Sequence, residues 1–98
     1  MTIKVFIRRS CPPGEEAALF ECLLPLRQLA PQQPGYISGE YLRSLDEPGQ
    51  YLTISTWMSE NDWRRWFESE ARQQIQAHLE ESYGITTDYR LYQYCSTV

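Results

Sequence analysis

A basic face is missing from this sequence. Nine Lys and Arg stand against thirteen Asp and Glu, for a net charge of −4. The only adjacent cations are Arg8-Arg9 and Arg64-Arg65, which read as solvated surface. Nucleic-acid binding needs clustered positive charge, so no nucleic-acid partner is expected. No apolar run approaches the ~18 residues of a membrane span, and no membrane partner is expected either. The N-terminus alternates apolar and polar residues instead of offering an apolar core with a cleavage site, so a signal peptide is not expected. The three cysteines, Cys11, Cys22 and Cys95, are odd in number and widely spaced. They form no metal motif or redox pair and read as reduced thiols of a cytoplasmic protein. Cys11 lacks any activating neighbour in sequence and reads as an idle thiol.

Chemistry-bearing motifs are scarce as well. No catalytic triad, phosphate loop, flavin or nicotinamide fingerprint is present. The pairs Glu15-Glu16, Asp46-Glu47 and Glu80-Glu81 are adjacent in sequence, and adjacent helix residues do not face each other, so they are not acid/base dyads. Repeats, linkers and low-complexity segments are also lacking. The length of 98 residues fits one domain, 1–98.

What the chain does have is aromatic side chains, three Trp, seven Tyr and three Phe, a rich supply for so small a core. Some of them are expected to face a ligand or a second subunit. The most informative run is 51–81. Residues 51–57 alternate, with Leu52, Ile54 and Thr56 on one side and Tyr51, Thr53, Ser55 and Trp57 on the other. Ser59 then offers a helix cap, with Asp62 three residues on. One helix is expected over 60–81, with Trp63, Phe67, Ala71, Ile75 and Leu79 as its apolar stripe and Trp66 beside them. Gly84 stands where a left-handed cap residue belongs.

Elsewhere, 2–9 reads as a strand with Ile3, Val5 and Ile7 on one face. A helix follows over 15–30, interrupted at Pro25, where a kink or a split is expected. Residues 36–44 form a second strand, joined to the third by turn residues 45–50, and 86–94 form a fourth. The order is β-α-β-β-α-β, a ferredoxin-like α+β fold with an antiparallel sheet. One sheet face is then bare, carrying Phe6, Tyr51 and Trp57 or their alternates, and implies a homodimer.

Three stretches resemble a known family: Pro34-Gly35-Tyr36-Ile37-Ser38-Gly39-Glu40-Tyr41-Leu42, Leu52-Thr53-Ile54-Ser55-Thr56-Trp57, and Asp62-Trp63-Arg64-Arg65-Trp66-Phe67-Glu68-Ser69-Glu70. Over residues 3–79 the chain is similar to the antibiotic biosynthesis monooxygenase (ABM) domain of the dimeric α/β-barrel superfamily. The resemblance implies a homodimer whose sheets form a barrel, and a pocket in each subunit between sheet and helices. Some such proteins oxidise polycyclic quinol-type substrates with O₂ and no metal or flavin, so no cofactor is expected; others degrade haem, and others have no demonstrated chemistry. Haem-degrading members carry a pocket Trp where Trp66 stands. Their axial His position is Gln76 here, and His78 comes two residues late, about 200° around a helix. Their pocket Asn falls at Ile7, so haem degradation is disfavoured.

The leading expectation is a cofactor-free monooxygenase acting on a hydrophobic aromatic or quinol-like molecule. Trp66 is a pocket wall or a core tryptophan; His78, the sole histidine, is a proton acceptor on the apolar stripe or a satisfied core residue. Trp63, Phe67, Tyr41 and Ile37 are pocket candidates, with Tyr41 and Ile37 sharing a strand face. Asn61 and Arg72 are polar stabilisers of an enolate or plain helix surface. The alternative is a dimeric small-molecule-binding or accessory protein without catalysis.

Overall fold

The computed structural model describes residues 1–95; residues 96–98, the end of the expected 1–98 domain, lie outside the described residues. The first strand, β1 (Ile3–Ser10), buries Ile3, Val5, Ile7 and Arg9 on one face, because alternate residues of a strand share a side. Helix α1 (Glu16–Leu29) follows and ends in a short 3₁₀ turn, Ala30–Gln32. Strands β2 (Tyr36–Arg43) and β3 (Gln50–Trp57) form the expected hairpin. Helices α2 (Glu60–Glu68) and α3 (Glu70–Tyr83) precede the last strand, β4 (Thr86–Gln93). The sheet order is β2-β3-β1-β4, with all three pairings antiparallel. This is the ferredoxin-like arrangement, with the second helix in two pieces.

The division of that helix is the main departure from expectation. Ser69 takes extended backbone angles (φ −60°, ψ 143°) and ends α2. Its hydroxyl donates to the Trp66 carbonyl at 2.7 Å, and its N–H reaches the same oxygen at 3.1 Å. Serine offers the backbone this local alternative to helix continuation. The interruption resets the phase. Arg72, Gln76 and Leu79 turn inward on α3, whereas Ala71, assigned to the stripe, is exposed and Ile75 is half-buried.

Helix α1 departs in the opposite sense. It runs through Pro25 as one helix, burying Leu19, Leu23 and Leu26 at helical spacing. The carbonyl that Pro25 leaves without a donor belongs to Glu21, an exposed residue that water can serve. The caps match the sequence. Ser59 accepts from the Asp62 N–H at 3.2 Å and donates to the Asp62 carboxylate at 2.8 Å. Gly84 takes φ 65°, and the N–H of Ile85 returns to Leu79 at 3.2 Å, a left-handed helix end.

All the helices lie on one face of the sheet. The bare face carries Phe6, Leu52 and Tyr92, with Lys4, Arg8 and Arg90 around them. Phe6 is there as expected, packed edge-on against Tyr92 at 5.1 Å. Trp57 is on the other side, opposite Ile3 and with no exposed surface. Tyr51 follows Trp57 by strand parity and packs on Phe20 of α1 at 5.5 Å. Among the described residues no helix is long and apolar enough to cross a membrane.

Candidate functional site

The space between sheet and helices is walled by aromatics. Trp57 ends β3 and meets Trp63 of α2 at 5.9 Å; Tyr36 packs edge-on against Trp57 at 5.4 Å. Trp63 and Trp66, three residues apart on α2, both turn inward and are nearly fully buried. A cavity of about 30 Å³, room for one or two waters, opens among Trp57, Trp63, Trp66, Tyr36 and Tyr41.

Two arginines reach this apolar space. Arg9 comes from β1, where strand alternation puts it on the same side as Ile3, Val5 and Ile7, and it is 3% exposed. Arg72 comes from α3, 1% exposed, its guanidinium 4.9 Å from the Phe67 ring centre, 5.1 Å from Tyr89 and 5.4 Å from Trp63. Cation–π contact with three rings partly replaces the water lost on burial. Arg72 Nη2 also donates to the Tyr89 hydroxyl at 2.6 Å. Arg9 Nη2 donates to Gln76 Oε1 at 3.4 Å, and Gln76 Nε2 donates to Thr87 at 2.8 Å and to Glu80 at 3.1 Å. Arg9 Nε and Arg72 Nη1 are buried without any acceptor. Burial is the largest influence on Arg9 and pushes its pKa down to about 10, with Arg72 adding repulsion. Burial raises the Tyr41 and Tyr36 hydroxyls above the usual tyrosine value.

The proposed site residues separate into two groups. Trp63, Trp66, Phe67, Arg72 and Tyr41 come together here. Ile37, Asn61 and His78 do not. A β-bulge between Tyr36 and Ser38 takes Ile37 out of register, so Tyr41 shares its face with Gly39 and Tyr36 while Ile37 stays half exposed. Gly39 gives the Tyr36 ring room: a Cβ there would stand 2.6 Å from the Tyr36 hydroxyl. Asn61 is exposed in the first turn of α2. His78, expected on the apolar stripe, is exposed on α3 because the interruption at Ser69 shifts the stripe by one position. Its ring lies 3.0 Å from the Ser82 hydroxyl and against Tyr83. Arg9, Gln76 and Tyr89 were not anticipated. The signal for Arg9 was its place two residues after Ile7; for Gln76 it was the spacing of four from Arg72. Among the described residues no group of three or more His, Cys, Asp and Glu is arranged to hold a metal ion.

Comparison with known proteins locates this architecture. A search of curated proteins finds no match. Among solved structures, SnoaB from Streptomyces nogalater, described as a cofactor-independent oxygenase, superposes with a TM-score of 0.83 at 18% identity, covering 99% of this chain and 96% of SnoaB. A Deinococcus radiodurans protein provisionally classed as an antibiotic biosynthesis monooxygenase gives 0.87 at 18% identity, over 100% of this chain and 96% of the other. Rv0793 from Mycobacterium tuberculosis gives 0.86 at 16% identity, over 98% and 97%. At these identities the likeness is one of fold. The family model for antibiotic biosynthesis monooxygenase matches residues 2–78, most of the chain, and so the protein belongs to the antibiotic biosynthesis monooxygenase family.

Proposed function

We propose that this protein is a cofactor-independent monooxygenase that oxidises a hydrophobic phenol- or quinol-like aromatic molecule whose phenolic oxygen enters the cavity between sheet and helices. One observation carries the reading: two buried guanidinium groups, each with an N–H lacking an acceptor, stand in an aromatic-walled space. A phenolic oxygen placed there is favoured in its ionised form, because opposite charge in a dry site stabilises the anion. The electron-rich ring carbon of that anion then reacts with O₂. One oxygen atom enters the ring as a carbonyl. The other leaves as water with two hydrogens of the substrate, which supplies both electrons. Trp63 and Trp66 keep the phenolic oxygen dry, and Tyr41 bounds it on the β2 side. His78, Asn61 and Ile37 have no part in this scheme.

Oxygen uptake with anthrone, the keto form of hydroxyanthracene, tests the reading. The protein is expected to accelerate uptake over buffer. Arg72→Met is expected to lose about a hundredfold, as removal of one oxyanion-stabilising group does elsewhere; Trp66→Ala, which opens the dry wall, is expected to lose turnover as well, and His78→Ala to keep the full rate. A folded Arg72→Met variant with undiminished turnover would overturn the assignment.

Binding without turnover is the second reading. It is favoured by the lack of a carboxylate or histidine among the residues lining the cavity. Saturable binding with oxygen uptake no faster than in buffer selects it. In both readings the bare sheet face pairs two copies into a homodimer, and the three free thiols fit a cytoplasmic protein.

A further inference from the structure

Arg9 and Arg72 share a cavity in which no acidic residue takes part. The four ion pairs among the described residues involve Arg8, Arg64, Arg65 and Arg90, never these two. The only carboxylate in their hydrogen-bond network, Glu80, is reached through the neutral Gln76 amide. Buried charge without a counterion is costly, and each orphaned N–H adds to the cost. An anion with acceptor oxygens would supply both the missing charge and the missing acceptors.

The surroundings say where the rest of such a ligand goes. A second pocket, of about 300 Å³, opens between α1 and the β2–β3 hairpin. It shares Leu23, Tyr41 and Thr53 with the inner cavity. Phe20 and Tyr51, packed edge to face at 5.5 Å, give it an aromatic wall, and Arg27 and Arg43 also line it. Arg27 lies 4.4 Å over the Tyr41 ring, the wall common to both spaces. The inner cavity admits an acidic group and no ring system; the outer pocket has the volume of a small-ligand site. Four of the chain's eight arginines thus line two adjoining spaces that no acidic residue lines, in a protein of net charge −4. Such an island of positive potential in a negative surface draws in and retains anions.

We propose that the two spaces form one binding site for an aromatic anion. Its acidic oxygens accept from Arg9 Nε and Arg72 Nη1, and its ring system lies against Phe20 and Tyr51, joined to the acid past Tyr41. The proposal rests on the preceding reading for the place of the site, and adds the charge of the ligand and a second subsite.

Calorimetric titration of the full chain with naphthoate and with neutral naphthamide tests it without turnover. Naphthoate is expected to bind once per chain, and naphthamide about tenfold or more weaker, as loss of a charge partner to buried guanidinium requires. Arg9→Gln should abolish the preference. Phe20→Ala, at an exposed position where folding is safe, should weaken both ligands together. No binding of naphthoate at millimolar concentration, equal affinity for the amide, or unchanged affinity in Phe20→Ala would overturn the proposal. Charge-selective binding with no oxygen uptake from anthrone upholds it and refutes the monooxygenase. Oxygen uptake without charge preference does the reverse.

Discussion

Arg9 works against the stability of the fold. Burial holds its guanidinium near a pKa of about 10. At roughly 1.4 kcal/mol per tenfold change in proton affinity, that burial costs the folded state about 3 kcal/mol. The sign follows from a folded pKa below the unfolded one. The cost is full at neutral pH and is relieved as pH rises through 10, where the folded state gives up its proton first. That cost is a large share of the about 5–15 kcal/mol of net stability of a small domain, and in the proposed site the bound anion offsets it. Arg9→Met is accordingly expected to raise the stability of the free protein by about 1–3 kcal/mol in chemical denaturation while removing anion binding. A loss of stability would mean that Arg9 is a structural residue. Arg9 was legible as a buried residue from strand alternation alone. Its adjacency to Arg8 hid it, because a doublet of cations reads as surface. Arg72 reads from the sequence as a polar stabiliser or plain helix surface, and its burial against three rings depends on the helix phase.

That phase is set at the level of the elements. All four strands, the first helix and both caps could be read from periodicity and capping residues. The interruption at Ser69 could not, since serine is only mildly unfavourable within a helix and its hydroxyl bond to Trp66 depends on geometry. From that one residue follow the burial of Arg72 and Gln76 and the exposure of His78. The β-bulge at Ile37 has the same character: a single inserted residue moves Ile37 off the face of Tyr41. The start of α2 must be firm for Trp63 and Trp66 to hold the cavity wall, and Ser59 supplies that firmness. Gly35 assists; with φ +84°, it leaves room for Asp62, whose carboxylate carbon would stand 2.2 Å from an added Cβ. Ser59→Ala should cost about 1 kcal/mol, seen as a lower denaturation midpoint at unchanged slope. No change in midpoint would show that the cap contributes nothing to the fold.

At the scale of the whole molecule, the sheet divides two roles. Its helix-side face holds Trp57, Arg9 and the cavity. Its bare face presents Phe6 and Tyr92 as an edge-on pair, with Leu52 beside them. The topology, legible from the order of elements, required one face to be bare. Which residues lie on it depended on strand parity, and Trp57 and Tyr51 fell on the covered side. Sedimentation is expected to give a particle of twice the 11.6 kDa chain mass, and Phe6→Asp with Tyr92→Asp to give a monomer. A monomeric wild-type protein would leave the bare face without the proposed partner.

Fate of the oxygen atoms from isotopically labelled O₂ tests the central claim most directly. Mass spectrometry of the product from anthrone is predicted to show one labelled oxygen atom in anthraquinone, formed faster than in buffer, with the excess lost in Arg72→Met. Unlabelled or doubly labelled product, or the same yield without protein, would contradict a monooxygenase built around the buried arginines.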